Sequence, residues 1–419
     1  MLRRFRVTGF KSLQDVDVEL APLVVVLGPN AVGKSNFLEA VLLLSRLATE
    51  RTLGDAFSSV LRGYPLEAFT LPGEGLQGLL SRESAELSLE ADVSPEPNGR
   101  RREKLRYRLT VRIQPAKGAV AVTDEYLVRL KKDGTAKQKP RIEGDGDHLV
   151  IRRLGEAGPP RREDRGLNHA LASNRQYSGE HRYPDFDLLR DELASWRMYY
   201  VDPRSAMREP HPPMEVDDIG PRGEHLAPFL YRLKQDEQHR RSFDAVRRAL
   251  RSAIPSIEGL DVVLEPQRGT LDIVVQQEGI PFSSRVISEG TLRVLALCAI
   301  AANPWPARLV AFEEPENGVQ PRRIETIAEL LISMATVRGR QVVLTTHSPT
   351  LISTLARHQL ERPDQIRLLR CVQDGHLTRI APFEQHGPLF ADTEIRESLV
   401  GPDDSQILEG ALVRGWLDG

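Results

Sequence analysis

Two cysteines in 419 residues, Cys298 and Cys371, are too few to hold together a disulfide-built secreted fold, and Cys298 sits in an apolar run that reads as core. No long hydrophobic run is present either. The longest, Val294 to Ala302, is about half of what a membrane span needs. The basic N-terminus, Met1 to Val7, is not followed by the apolar region of a secretory signal. Neither sign of charge dominates: 57 Lys+Arg stand against 59 Asp+Glu, a net charge of -2, so the chain as a whole is no polycation, although local basic patches remain open. Internal repeats and sustained heptads are missing as well, which excludes solenoids and long coiled coils. These absences leave a cytoplasmic globular chain long enough for about two to three domains. Its 40% hydrophobic and 28% charged residues fit that class.

What is present begins with short strands. Residues 2–8 alternate in character, and Leu23 to Leu27 is a continuous apolar run, the mark of a buried strand. A glycine-containing loop follows, and Lys34 to Leu47 then carries Phe37, Leu38, Val41, Leu42 and Leu44 at helical spacing. From about residue 84 to 155 the segments Ala85–Val93, Leu105–Ile113 and Ala119–Leu130 alternate apolar and polar, which predicts antiparallel strands with one wet face. Gly155 to Gly166 is rich in Gly, Pro and charge and reads as a linker or mobile loop. Residues 167–252 read as mainly helical, broken by the proline-rich Asp202 to Pro213, and Leu260–Leu264 with Leu271–Val275 read as a hairpin. Helix and strand then alternate again: Gly290–Ala302, Leu309–Phe312, Arg322–Ala335 and Gln341–Thr345. The expected fold is α/β, a mainly parallel sheet flanked by helices and drawn from both ends of the chain, with an antiparallel β subdomain and an inserted helical lobe. The expected divisions are 1–155, 156–258 and 259–419.

Four motifs carry chemistry. Gly28-Pro29-Asn30-Ala31-Val32-Gly33-Lys34-Ser35 matches G-x-x-x-x-G-K-[ST], after a strand and opening a helix. Such a loop aims backbone N–H groups at phosphate oxygens. Lys34 would reach the β- and γ-phosphates of ATP, and Ser35 would ligate Mg²⁺. Glu313-Glu314-Pro315 ends an apolar strand at the edge where α/β proteins bind ligands, so Glu313 is assigned to the metal and Glu314 to the attacking water as general base. His347, in Thr345-Thr346-His347-Ser348-Pro349, follows a further strand and could hydrogen-bond a γ-phosphate. Ser288-Glu289-Gly290-Thr291 opens the apolar helix and leaves N–H groups for an anion; taken alone it is an ordinary N-cap.

In this order the motifs resemble those of ABC-type P-loop ATPases, and within them the RecF/SMC/OLD-like group, often labelled AAA-type ATPases. Phe10-Lys11-Ser12-Leu13 is similar to that group's opening turn, Ser288-Glu289-Gly290-Thr291 to its signature, Glu313-Glu314-Pro315-Glu316 to its Walker B motif, Asn317-Gly318-Val319 to its D-loop and His347 to its switch histidine. The resemblance implies ATP hydrolysis with Mg²⁺. It also implies ATP contacts from Gly28 through Asn36, and a head-to-tail homodimer in which Ser288, Glu289 and Gly290 act on the partner copy's nucleotide. Glu313 stands where an aspartate is usual, and Gln77 is the one candidate for the Q-loop metal contact.

A transporter subunit does not fit the long mixed insertion, and a Toprim nuclease does not fit the stretch after His347. That stretch has Asp374, Asp403 and Asp404 but no glutamate followed by Asp-x-Asp. Two readings remain. One is an ATPase that switches a separate effector, such as a nuclease, in DNA repair or anti-phage defence. The other is an ATP-dependent protein-interaction switch that does not bind DNA. Arg100 to Arg102, Lys104, Arg106 and Arg108, with Lys131, Lys132, Lys137, Lys139 and Arg141, are the patches that would contact DNA.

Overall fold

The structure, a computed structural model, describes residues 1–61, 63–95, 103–155, 159–305 and 307–383. Arg100, Arg101 and Arg102 of the basic patch, and Asp403 and Asp404, lie outside the described residues. The N-terminal elements are β1 (Leu2–Phe10), β2 (Leu13–Glu19), β3 (Leu23–Leu27), α1 (Lys34–Leu47), α2 (Leu53–Val60) and α3 (Gly75–Leu80). Six strands follow: β4 (Ala85–Val93), β5 (Lys104–Gln114), β6 (Ala119–Leu130), β7 (Ile142–Asp145), β8 (His148–Ile151) and β9 (Arg161–Asp164). The middle holds α4 (Pro184–Ala194), β10 (Trp196–Tyr199), α5 (Leu226–Gln235), α6 (Arg240–Ala253), β11 (Ile257–Glu265), β12 (Thr270–Gln277) and β13 (Ile280–Ser283). The last elements are α7 (Glu289–Ala302), β14 (Leu309–Glu313), α8 (Ile324–Thr336), β15 (Gln341–Thr346), α9 (Pro349–Glu361), β16 (Ile366–Asp374) and β17 (Leu377–Pro382). No described helix is long and apolar enough to cross a membrane.

The chain forms two compact units. The first comprises Met1–Trp196 with Leu369–Phe383. Its eight-stranded sheet runs β2-β1-β4-β5-β6-β7-β8-β9, every neighbour antiparallel. The period-two pattern read at residues 85–130 produces it. On β5, Leu105, Tyr107, Leu109, Val111 and Ile113 are buried, while Arg106, Arg108 and Arg112 take the other face. On that face each arginine meets an acid of a neighbouring strand: Arg106 Nε donates to Asp92 at 2.7 Å, Arg108 Nη2 to Asp124 at 2.9 Å and Arg112 Nε to Glu86 at 2.8 Å. Arg141 is buried against Asp185 at 2.8 Å, and Lys137 lies 3.3 Å from Glu103. The fully buried β3 lies beside β16, whose residues from Leu369 onward belong to this unit, and β17 returns antiparallel to β16. Phe37 of α1 packs edge-on to Phe5 of β1, with ring centroids 5.7 Å apart.

The second unit comprises Arg197–Leu368. Strands β14 and β15 pair in parallel, with Glu313 opposite Thr345, and β10 lies on the other side of β14, where Tyr199 stacks on Phe312. Strands β11, β12 and β13 form a separate antiparallel sheet, the predicted hairpin plus one more strand. The region read as mainly helical holds α4, α5 and α6 but also the short β10, and residues 200–225 are largely irregular. Prolines spaced through that stretch deny it a continuous backbone ladder. Side chains order it instead: the Arg208 guanidinium donates to the carbonyls of Ser284, Arg285 and Ile287 at 2.6–2.8 Å and pins the loop that leads into α7. At the other end of α7 the buried Arg340 donates to the carbonyls of Ile300 and Asn303, which suits the negative end of a helix.

Candidate functional site

The phosphate loop lies in the first unit, between β3 and α1. Gly28 has φ 153°, Ala31 φ 68° and Gly33 φ 95°, so the chain turns through left-handed backbone and delivers α1 N-terminus first. Glycine is required at two of these positions by close approach as well. A Cβ on Gly28 would overlap the carbonyl oxygen of Cys371, and one on Gly33 would overlap the Thr378 hydroxyl. The Lys34 side chain is only 6% exposed. Its ammonium donates to the carbonyls of Gly28 at 2.8 Å and Pro29 at 2.6 Å, so the loop itself holds the charge in place.

A line of hydroxyls supports the loop from behind. Asn36 Nδ2 donates to Ser12 Oγ at 2.8 Å, Ser12 and Thr378 share a hydrogen bond of 2.6 Å, and Thr378 Oγ1 donates to the Val32 carbonyl at 2.8 Å. Because Thr378 spends its hydrogen on Val32 and Ser12 accepts from Asn36, Ser12 is the donor to Thr378. The Cys371 thiol also reaches the Val32 carbonyl, at 3.3 Å. Ser12 belongs to the Phe-Lys-Ser-Leu turn, between Gly9 and Lys11 in left-handed backbone and the start of β2. Thr378 and Cys371 had no sequence signal; they arrive from the β16–β17 hairpin. Removing the Thr378 hydroxyl would leave the Val32 carbonyl only the weak Cys371 thiol as donor and the Ser12 hydroxyl without its acceptor, at a cost of about 1–3 kcal/mol. Thr378→Val is therefore expected to lower the melting temperature and raise the KM for ATP several-fold, and Thr378→Ser to restore both. Thermal melts with ATP titrations check this. A valine variant equal to the unsubstituted protein in both would show that the relay bears no load.

The acidic motif lies in the second unit. Glu313 ends β14, half-buried. Glu314 follows with φ 45°, a left-handed conformation unusual for a side chain of this size, and its N–H donates to the Thr345 carbonyl at 3.1 Å. His347, just past β15, places Nδ1 2.7 Å from Glu314 Oε1. The parallel register of β14 and β15 brings the two together. A carboxylate only accepts, so Nδ1 carries the hydrogen and Nε2 is left for another partner. Glu316 is 6% exposed and accepts from Thr346 Oγ1 at 2.5 Å, while its Oε2 is buried with no partner among the described residues. Burial pushes its carboxyl above the usual range, against the pull of the Thr346 hydroxyl.

Ser288 caps α7, its hydroxyl accepting from the Thr291 N–H at 3.2 Å. Glu289 pairs with Arg204 at 2.9 Å on the surface. A Cβ on Gly290 would come within 2.8 Å of the Gly318 carbonyl, so the start of α7 and the Asn317-Gly318-Val319 turn abut. Gln77 is exposed on α3. The donors suit the groups they are assigned: a glycine loop with an inward ammonium suits phosphate, and the Ser35 hydroxyl and Glu313 carboxylate are hard oxygen ligands of the kind Mg²⁺ takes.

Solved structures show the fold. The SMC head bound to the C-winged helix domain of ScpA covers 92% of this chain and 98% of its own, with a TM-score of 0.54 and 14% identity. The Smc head with an extended coiled coil bound to the C-terminal domain of ScpA, from Pyrococcus furiosus, covers 96% and 99% with a TM-score of 0.52 and 11% identity. The chain thus has the α/β fold of an SMC-type ATPase head. Over 72 residues it is 36% identical to the OLD nuclease of Thermus scotoductus (strain ATCC 700910 / SA-01), which is 17% of this chain and 11% of that protein. The chain spans about a tenth of that curated relative. The family described as "AAA domain, putative AbiEii toxin, Type IV TA system" matches residues 23–353, most of the chain, and this protein belongs to that family of P-loop ATPases.

Proposed function

We propose that this ATPase closes head to tail with a second copy around ATP, and that closing and opening switch a separate effector in DNA repair or anti-phage defence. In this reading residues 1–155 and 259–419 form the head and 156–258 an inserted lobe. Backbone N–H groups from Gly28 to Asn36 and the Lys34 ammonium bind the phosphates. Ser35 and Glu313 would hold Mg²⁺, with Gln77 as a further ligand, and the ion would supply charge neutralisation at the phosphates. Glu314 takes the proton of the attacking water, and His347 orients that carboxylate through Nδ1 while Nε2 faces the γ-phosphate. Ser288, Glu289 and Gly290 complete the nucleotide site of the other copy.

The observation that carries this reading is the Glu314–His347 hydrogen bond of 2.7 Å, made where two parallel strands end and with Glu314 in strained backbone. It joins a base to the residue that sets its direction. The SMC heads named above were solved with domains of ScpA, which supports a protein partner for this head as well.

The shared site is tested by mixing two inactive variants. Ser288→Arg is expected to bind ATP on its own loop yet fail to hydrolyse it. Lys34→Ala fails to bind. In a mixed pair one composite site stays whole, so the mixture should recover part of the activity. A mixture as inactive as either variant would show that the copies do not share sites.

The second reading, a protein-interaction switch without DNA, is favoured by the pairing of Arg106, Arg108 and Arg112 with acids of the neighbouring strands. Those guanidiniums are already engaged, so the β5 face offers a polyanion little.

A further inference from the structure

We propose that the arginine face of α6 binds the phosphate backbone of double-stranded nucleic acid. The helix buries Phe243, Val246, Leu250 and Ala253 on one side and packs on α7. At 3.6 residues per turn, Arg240, Arg247 and Arg251 fall within about 40° of one another on a flank about a quarter turn round from the buried stripe, over roughly 16 Å of axis. Arg241 and Arg248 form a second row about 80–100° round from the first. All five are exposed. A single acid, Asp244, shares the face, 3.6 Å from Arg247. Arg240, Arg241, Arg248 and Arg251 make no ion pair among the described residues.

This arrangement works against the helix that carries it. Arg240 and Arg241 stand in the first turn, at the positive end of the dipole, and no acidic residue offsets them there. Arg247 and Arg251 are four apart, and Arg248 and Arg251 three apart, spacings at which like charges repel. A face that only needed water would be more stable with mixed signs, as on β5. Five exposed guanidiniums in two rows, four of them without an ion pair among the described residues, instead fit a regular polyanion. Each strand of a duplex presents a phosphate about every 3.4 Å of axis, so the helix spans roughly five of them, and the guanidinium fork matches a phosphate with two donors. A protein partner is the poorer fit: interface centres are depleted of charge and built on apolar anchors, and no large apolar side chain is exposed on α6.

The test uses the full chain without nucleotide, so it stands apart from the ATP-driven pairing proposed above. Anisotropy of a fluorescein-labelled duplex is titrated at salt from about 50 to 200 mM for the unsubstituted protein and for R240A/R247A/R251A. Each lost phosphate contact removes about 0.9 from the slope of log affinity against log salt, so the triple variant is expected to be shallower by about 2.7 and at least about tenfold weaker at the lowest salt. ATP hydrolysis should not change, and the thermal melt should hold or rise slightly as the repulsion along the helix is relieved. R240K/R247K/R251K keeps the charge and should keep most of the slope. No binding by the unsubstituted protein overturns the proposal. So does an alanine triple that binds as well, or a lysine triple that loses as much as the alanine one. A protein that ignores the duplex but is retained by immobilised poly-glutamate through the same arginines also overturns it, in favour of an acidic protein.

Discussion

Glu314→Gln is expected to bind Mg-ATP normally and to lose most of its turnover, roughly two to four decades if general-base magnitudes apply. Glutamine keeps the shape and can still accept from His347 Nδ1, so the 2.7 Å contact survives while the basicity is lost. The left-handed backbone at residue 314 suits glutamine no worse than glutamate, so folding should be unaffected. ATP that is bound but not cleaved should trap the closed pair, and the variant should accumulate an ATP-dependent dimer that the unsubstituted protein shows only transiently. Single-turnover hydrolysis and light scattering, with the nucleotide-free state measured first, check both halves. Lost hydrolysis without a change of assembly would keep Glu314 catalytic and remove the ATP-driven pairing. Hydrolysis at the unsubstituted rate would remove Glu314, and Glu313 or Glu316 would be the next base to test; Glu316 is a buried carboxyl with a raised pKa and one oxygen that has no partner among the described residues.

Lys34→Ala is expected to abolish measurable ATP binding. If the ammonium exchanges its two loop carbonyls for phosphate oxygens, two charge-assisted hydrogen bonds are lost on substitution. At roughly 1.5–3 kcal/mol each they correspond to about two to four decades of affinity. Alanine is a good helix former at the start of α1, and the Thr378–Ser12–Asn36 line that holds the loop does not involve Lys34. The two carbonyls it releases belong to half-buried Gly28 and exposed Pro29, where water can replace the donor, so the melt should stay close to that of the unsubstituted protein. Calorimetric titration with Mg-ATP measures the loss, and an unchanged affinity would sink the assignment.

Much of the fold could be read along the chain because its signals are local. The run Leu23–Leu27, the helical spacing from Lys34 to Leu47 and the alternation in β4, β5 and β6 depend only on which face each residue shows, and each became the predicted element. Elements with weak or interrupted patterns were missed. β10 has four residues, β7 to β9 are equally short, and α2 and α3 hold six to eight. Their order comes from neighbours rather than from their own periodicity.

The same division runs through the chemistry. The sequence by itself determined the phosphate loop, the carboxylate pair at the end of a strand and the serine at the head of α7, because each is a contiguous run whose spacing is its function. Tertiary structure alone decided that His347 turns to Glu314, that Thr378 and Cys371 support the loop from more than three hundred residues away, and that Glu316 is buried. It also separated two arginine-rich segments that look alike in the sequence. On β5 the neighbouring strands set an acid against each of Arg106, Arg108 and Arg112, whereas on α6 no element does the same for Arg240, Arg241, Arg248 or Arg251 among the described residues. The physical reason is common to all of these. A hydrogen bond or ion pair depends on distance in space, and the sequence records only distance along the chain.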